Sequence, residues 1–432
     1  MRAELNDLIT RRMETAMVDA DMAPSRRYLS LCPETDLVLA ALTAPWRQES
    51  RQRVAGLIND PLDWDCVQSI ADAWRVQPLL YETLRLLRHP RTPSHVLEML
   101  AIQHRTNSQH NLQMVAECLR LVALFRQHGI SAVPYKGPFL ASLLYPNLSV
   151  RRLGDLDFLL RRDEIDKAVQ LLLSQGFRPQ NPNKPIDSKS LFSKIRNYEV
   201  SLYSRDGSLM VELHWSIIPP ASLFRLEPDF FWNWLRPFRL LGVEVSLFPP
   251  EEQFFILCLH NEKHSWRSVR PLVDIVRMLD VYPNLNWQRA HDICQQFRRY
   301  EAVDVTLRLI QDILGVAVPE GAWTGRLSPE RLAHRAALIR SLIFRPAFSF
   351  PGYAEWSRCL ERARLINGGG RFRPARPTLL GYARALLVHE TEDQCHVSPS
   401  LRHWPIFYSI VRVLRQIKYQ VYGRFRWPAV SA

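Results

Sequence analysis

The sequence predicts an α+β protein in which a small central sheet is flanked by N- and C-terminal helical regions. Two observations carry this reading. Apolar residues recur every three or four positions before residue 130 and again after residue 249, the period of helices buried along one face. Between those regions the period shortens to two, and a glycine turn separates two alternating runs, as in paired strands. At 432 residues the chain is long enough for two or three compact units, and its 47% hydrophobic and 23% charged residues are those of a folded protein. We place a helical region at 1–106, an α/β core at 107–248, a second helical region at 249–365, and a linker with a basic aromatic tail at 366–432.

Taken in order, Thr35–Leu87 reads as helices, with DWDCVQSIADAWRVQPLLYETLRLL the most regular stretch. Asn107–His128 is a long amphipathic helix stopped by Gly129. Ile130–Tyr135 is short and extended, Pro138–Tyr145 a helix, Asp155–Leu160 a strand, and Asp163–Gln175 a helix closing at Gly176. The polar run Arg178–Ser190 is a loop. NYEVSLYS and SLMVELHWSI are strands joined by Arg205-Asp206-Gly207, a hairpin signal. Beyond Pro249, EEQFFILCLHNEKH, RPLVDIVRMLDVY and NWQRAHDICQQFRRYEAVDVTLRLIQDIL are helical. The stretch from Leu62 aligns without gaps on the stretch from Leu285, matching Trp64 with Trp287 and Thr83-Leu84-Arg85-Leu86 with Thr306-Leu307-Arg308-Leu309. Two similar helical hairpins flanking the core would explain the echo, as would chance similarity of amphipathic helices. NGGGRFRPARP, from Asn367, is a linker, and IFYSIVRVLRQIKYQVYGRF beyond it mixes aromatics with arginines at helical spacing.

The net charge of +13, carried mostly by arginine, favours phosphate-bearing partners or reflects an arginine-rich surface. Seven scattered cysteines, none in a CxxC pair, argue against a zinc ribbon or a disulfide framework and read as core thiols. The first residues carry acids and no apolar stretch, so no secretory signal is expected. No apolar run approaches the ~18–20 residues that span a bilayer, so no transmembrane segment is expected and a cytoplasmic location is the default.

Alternate side chains of a strand share a face. Asp155 and Asp157 therefore point one way while Leu156 and Phe158 point into the core, and Glu212 shares its face with His214. If the two strands are neighbours, three carboxylates meet on one patch. Their repulsion calls for a divalent cation, and oxygen ligation suits Mg2+ or Mn2+. Two such ions ~3.5–4 Å apart activate an attacking hydroxyl and stabilise a departing pyrophosphate. Upstream, YKGPFLASLLY puts Lys136 and Gly137 at a helix start, where free N–H groups and the helix dipole favour phosphate. Gly137 lets the backbone approach a ligand closely, Lys136 adds a point charge, and Arg151 and Arg152 precede the acids for the same purpose. His214 hydrogen-bonds in the core or orients Glu212. His260 and His264 lie four apart on one helix face. That spacing permits zinc, but no third ligand accompanies them, and packing on the catalytic face or contact with a base or acceptor fits better. Trp215 and Trp266 read as core residues.

The order of these motifs resembles the DNA polymerase β-like nucleotidyltransferase superfamily, in which a glycine at a helix start precedes D-x-D on one strand and a single acid on a later one. More narrowly it resembles a bacterial family of proposed nucleotidyltransferases. That family carries a KG helix start, an arginine before D-x-D, an acid–apolar–HW strand end and a downstream H-x3-H-x-W helix. Lys136-Gly137, Arg151 or Arg152, Asp155-Leu156-Asp157, Glu212-Leu213-His214-Trp215, and His260, His264 and Trp266, with Asp274 further on, carry the likeness from about Thr35 to Leu314.

The resemblance implies a small mixed-sheet nucleotidyltransferase core packed on helices. It implies transfer of a nucleoside monophosphate from an NTP to an acceptor hydroxyl, and two-metal chemistry at Asp155, Asp157 and Glu212. The acceptor is open among a small molecule, a sugar, a protein and an RNA. The superfamily has Gly-Ser or Gly-Gly at the helix start, whereas here Pro138 follows Gly137 and removes a hydroxyl and one N–H donor. This departure motivates a second reading, a non-catalytic nucleotide-binding or regulatory protein on the same scaffold. The arginine-aromatic tail motivates a third, peripheral contact with an anionic membrane near envelope or polysaccharide synthesis.

Overall fold

The computed structural model describes residues 32–179, 198–217, 231–240 and 243–344. The expectations for the N-terminal segment, the linker at Asn367, the aromatic tail and most of the loop after Pro179 lie outside these residues. All described residues except Tyr198 belong to one compact unit.

Four helices open the described chain: α1 (Pro33–Ala41), α2 (Gln48–Leu57), α3 (Trp64–Ala73) and α4 (Gln77–Leu87). Asp63 caps α3 by accepting from the Asp65 and Cys66 amides, and proline stands in the first turn of α1 and α4, where its missing N–H has no intrahelical use. Helix α5 then runs over Ser94–Gln127, thirteen residues earlier than its expected start at Asn107. The exposed apolar positions Met99 and Ile102 blur the periodicity of its first turns, which hides them from a pattern reading.

The sheet follows. Strand β1 (Val133–Pro134) leads through helix α6 (Gly137–Leu144) to β2 (Leu156–Leu159), then to helix α7 (Ile165–Ser174) and β3 (Arg178–Pro179). The hairpin β4 (Glu199–Tyr203) and β5 (Met210–His214) completes it. The five strands lie in the order β1-β2-β5-β4-β3. β2 and β5 are parallel and the other neighbours antiparallel, so the sheet is mixed, as expected. The predicted loop from Arg178 thus opens as a two-residue strand. Its Pro179 is tolerated because β3 is an edge.

One face of the sheet is apolar. Leu156, Phe158, Val200, Leu202, Val211 and Leu213 are buried on it, and Phe125 of α5 meets Phe158 edge-on at 5.4 Å. A fully buried side chain of this size contributes about 1.5–3 kcal/mol, so this face anchors the strands whose opposite face carries the polar groups.

A second hairpin, β6 (Arg236–Leu240) with β7 (Val243–Leu247), precedes the C-terminal helices α8 (Pro250–Lys263), α9 (Arg270–Val281), α10 (Trp287–Phe297), α11 (Tyr300–Leu314) and α12 (Pro329–Ile343). The run from Asn286 to Leu314, read as helical throughout, is broken by Arg298 at φ 50°. Helix α8 lies beside the polar face: Lys263 reaches Glu199 at 3.0 Å and Gln253 donates to the Tyr135 carbonyl at 3.3 Å. The N- and C-terminal helical regions are tied by Arg47, which pairs with Asp280 at 2.5 Å.

The internal echo has a structural counterpart. Hairpins α3–α4 and α10–α11 turn at aligned residues, Arg75 (φ 56°) and Arg298 (φ 50°), and both begin on an Asx cap, Asp63 and Asn286. Ala71 and Cys294, Leu80 and Val303, and Thr83 and Thr306 are buried at matching positions. The five described cysteines are free thiols, four of them buried. Among the described residues no helix is long and apolar enough to cross a membrane.

Candidate functional site

The parallel register of β2 and β5 sets Asp157 beside Glu212, and Leu159 beside His214. With Leu156, Phe158, Val211 and Leu213 turned into the core, strand alternation sends Asp157, Glu212 and His214 to the opposite face together. Each then offers a ligand atom within 4.8 Å of the others, and among the described residues this is the one His/Cys/Asp/Glu group of three that could hold a metal ion. Asp155 is not a member of that group. It stands one residue ahead of β2, half-buried beside the cluster.

Each group has a counter-charge. Lys136 places its ammonium 3.2 Å from Asp157 Oδ1. His214 Nε2 lies 3.0 Å from the same oxygen and 3.3 Å from Glu212 Oε2, while its Nδ1 faces Glu199 Oε2 at 3.3 Å. The Ser201 hydroxyl donates to Glu212 at 3.4 Å. Tyr135 meets the His214 ring edge-on at 5.4 Å and the Lys136 ammonium at 4.8 Å.

These contacts set the ionisation. Burial alone would raise the Asp157 carboxyl, but the Lys136 charge and the His214 hydrogen bond hold it well below the usual carboxylate range. Glu212 is held down in the same way, burial being outweighed by His214. Burial would lower His214, yet its bonds to Asp157 and Glu212 raise it, so the ring is held toward the imidazolium. Asp155 goes the other way: burial and then repulsion from Asp157 push its carboxyl up to about 6. In the fold its ionised form is therefore disfavoured, a penalty absent below the unfolded value near 3.8 and complete above about 6. Asp155→Asn is expected to stabilise the metal-free protein at pH 8 by about 2 kcal/mol, and to lose that advantage toward pH 4. Thermal melting in EDTA at the two pH values reads this directly, and a variant that melts below the parent at pH 8 would contradict it.

The sequence-named phosphate residues divide. Gly137 takes φ +56°, and a Cβ there would lie 2.8 Å from the Asp155 carbonyl oxygen. The close approach for which glycine is required is thus to the backbone of Asp155. Gly137→Ala should cost about 2–4 kcal/mol from left-handed strain and the clash together, read as a lowered urea midpoint; a loss under about 1 kcal/mol would refute it. Arg151 is committed to Asp274, with Nε to Oδ1 at 2.9 Å and Nη2 to Oδ2 at 3.0 Å, and the Tyr145 hydroxyl donates to the same carboxylate at 2.7 Å. Arg152 is exposed, and its carbonyl accepts from Arg270 at 3.1 Å.

The two helix histidines meet edge-on at 4.5 Å between ring centroids and belong to no metal group found among the described residues. Burial, reinforced by Lys136, holds His260 well below its ordinary value, and burial with Lys263 brings His264 down to about 4, so both are neutral near pH 7. The buried Nδ1 of His260 has no hydrogen-bond partner among the described residues. Trp266 is a core residue whose indole donates to Thr306 at 2.7 Å, and Trp215 is half-buried after β5.

Glu199, Lys263 and Arg270 were not singled out from the sequence. Glu199 was within reach. The turn at Arg205-Asp206-Gly207 sets Tyr203 opposite Met210, and counting outward puts Glu199 opposite His214.

A family model described as uncharacterised nucleotidyltransferase matches residues 60–315, more than half of the chain. No curated protein and no solved structure matches it.

Proposed function

The chain belongs to this nucleotidyltransferase family, and from that premise we propose that it is a magnesium- or manganese-dependent enzyme moving a nucleoside monophosphate from an NTP to an acceptor hydroxyl. The observation that carries this reading is Asp157 beside Glu212 on parallel strands, with Asp155 adjoining them and cationic groups already drawn to the pair.

The donor set fits such an ion. The carboxylates offer hard oxygens, and two of them are kept ionised by their surroundings. Held there by these carboxylates, a divalent ion would supply positive charge to offset that of the phosphates and of the departing pyrophosphate. Asp157 and Glu212 serve as its principal ligands, with Asp155 completing the set. His214 is a positioning residue: its two ring nitrogens reach three carboxylates and fix the angles at which they present their oxygens. Lys136 holds Asp157 ionised and supplies a positive charge toward phosphate oxygens.

A second reading, a nucleotide-binding scaffold without turnover, is favoured by the helix start. Pro138 lacks an N–H, and the Gly137 backbone is packed on Asp155. One experiment separates the two. Protein, Mg2+ and each labelled NTP are incubated with candidate small-molecule, sugar, protein and RNA acceptors, and products are read by mass spectrometry. Nucleotidylated product supports transfer, and Mg2+-dependent NTP binding with no product from any acceptor supports the scaffold. Absence of both product and binding would dismiss both readings.

A further inference from the structure

We propose that Arg270, and not Arg151, is the arginine that grips the phosphate chain of the nucleotide; this rests on the transfer reading above and names the residue that holds its substrate. The two arginines expected before the acids are accounted for otherwise. Arg151 has its charge already matched by Asp274, which takes its Nε and Nη2 as a bidentate pair, and Arg152 is turned out to solvent. Arg270 differs from both. It is half-buried at the first residue of α9, and among the described residues it makes a single hydrogen bond, from Nη1 to the Arg152 carbonyl, and no ion pair.

A guanidinium has five N–H donors in one plane. Four of these have no acceptor among the described residues, and no carboxylate among those residues pairs with the half-buried charge. Burial lowers the Arg270 guanidinium from its ordinary value and Arg151 adds to the push, while Asp274 and Asp155 oppose it, so the group would gain from a further anion. Its place says which anion. Asp274, one helical turn along α9, holds Arg151, and Arg270 holds the carbonyl of Arg152, three residues before Asp155. Gly137 lies close against the Asp155 carbonyl, where an added Cβ would come within 2.8 Å. Arg270 therefore flanks the segment that delivers Asp155 to the metal site. Planar donors there match the oxygens of a di- or triphosphate, which a guanidinium binds with paired hydrogen bonds.

The test uses the full chain and inorganic tripolyphosphate. Mn2+ affinity is read by electron paramagnetic resonance and tripolyphosphate affinity by calorimetry at saturating Mn2+. Arg270→Met is expected to weaken tripolyphosphate binding ~10–100-fold, the loss for a hydrogen bond to a charged group, with Mn2+ affinity and melting temperature unchanged. In the unmutated protein, tripolyphosphate should protect Arg270 but not Arg152 from an arginine-selective dicarbonyl reagent, read by peptide mass spectrometry. That measurement needs no variant to fold. Undiminished tripolyphosphate binding by Arg270→Met, or no protection of Arg270, overturns the proposal while leaving transfer intact. Joint loss of Mn2+ binding and melting temperature in the variant, without protection in the parent, makes Arg270 a brace for the Arg152 backbone and also overturns it. If the unmutated protein binds neither Mn2+ nor tripolyphosphate, the transfer reading falls and the proposal with it.

Discussion

Replacing Asp157 with asparagine is expected to abolish nucleotidyl transfer, by at least about a thousandfold, and to remove Mn2+ binding. A metal-held transition state is worth several kcal/mol, and each 1.4 kcal/mol or so is a factor of ten in rate. Asp157 is the centre of the cluster: its Oδ1 faces both Lys136 and His214, and its register neighbour is Glu212. Asparagine keeps the shape and one acceptor, so the fold should survive. Alanine removes both. Both variants remove the anion shared by Lys136 and His214, but alanine also leaves these buried groups with no acceptor, a loss of about 3–5 kcal/mol. Product formation, Mn2+ resonance titration and thermal melting, run on both variants, separate the chemical from the structural role. A folded Asp157→Asn protein with parental Mn2+ affinity would sink the assignment of Asp157 as ligand.

Asp274→Ala is expected to cost about 3–5 kcal/mol of stability, because it strands the buried Arg151 guanidinium and the Tyr145 hydroxyl at once. Burial disfavours the charge on Arg151, and Asp274 more than offsets it, so without Asp274 the balance reverses. The pair joins α9 to the segment entering β2, so the variant should also loosen Asp155. Urea denaturation gives the first effect as a fall in midpoint with unchanged slope. Double-mutant comparison with Arg151→Met gives the coupling, since that variant alone should be milder and adding it to Asp274→Ala should restore part of the loss. Simple additivity of the two would show that the pair is not a unit.

How far the sequence reached depended on whether a feature has a local signal. The sheet, its hairpin and the placement of Asp157, Glu212 and His214 on one face follow from a two-residue period and a glycine turn, and both are written in neighbouring residues. Asp155 was grouped with them by the same alternation. It precedes the first strand residue, Leu156, and ahead of the strand the pleat no longer fixes the side chain's direction. The pairing of Arg151 with Asp274 joins residues more than a hundred positions apart. No periodicity encodes such a contact, so Arg151 read as a free cation. Pro237 disguised β6, because proline argues against a strand except at an edge, which β6 is. Arg298 hid the break between α10 and α11, since a non-glycine residue at positive φ gives no warning in the sequence.

The doubled hairpin has a consequence for assembly of the chain. Two segments with the same turn, caps and buried rows are candidates to take each other's place during folding, a trap that grows with chain length. The aligned positions Cys66 and Arg289 oppose the exchange. Cys66 is 5% exposed in its hairpin, while Arg289 reaches out to Glu252 at 2.7 Å from the equivalent point of the other. Seating α10 where α3 belongs would drive that guanidinium into the site of a buried thiol and leave Glu252 without its cation, a penalty the correct arrangement avoids. A single non-matching position thereby gives each copy its own address.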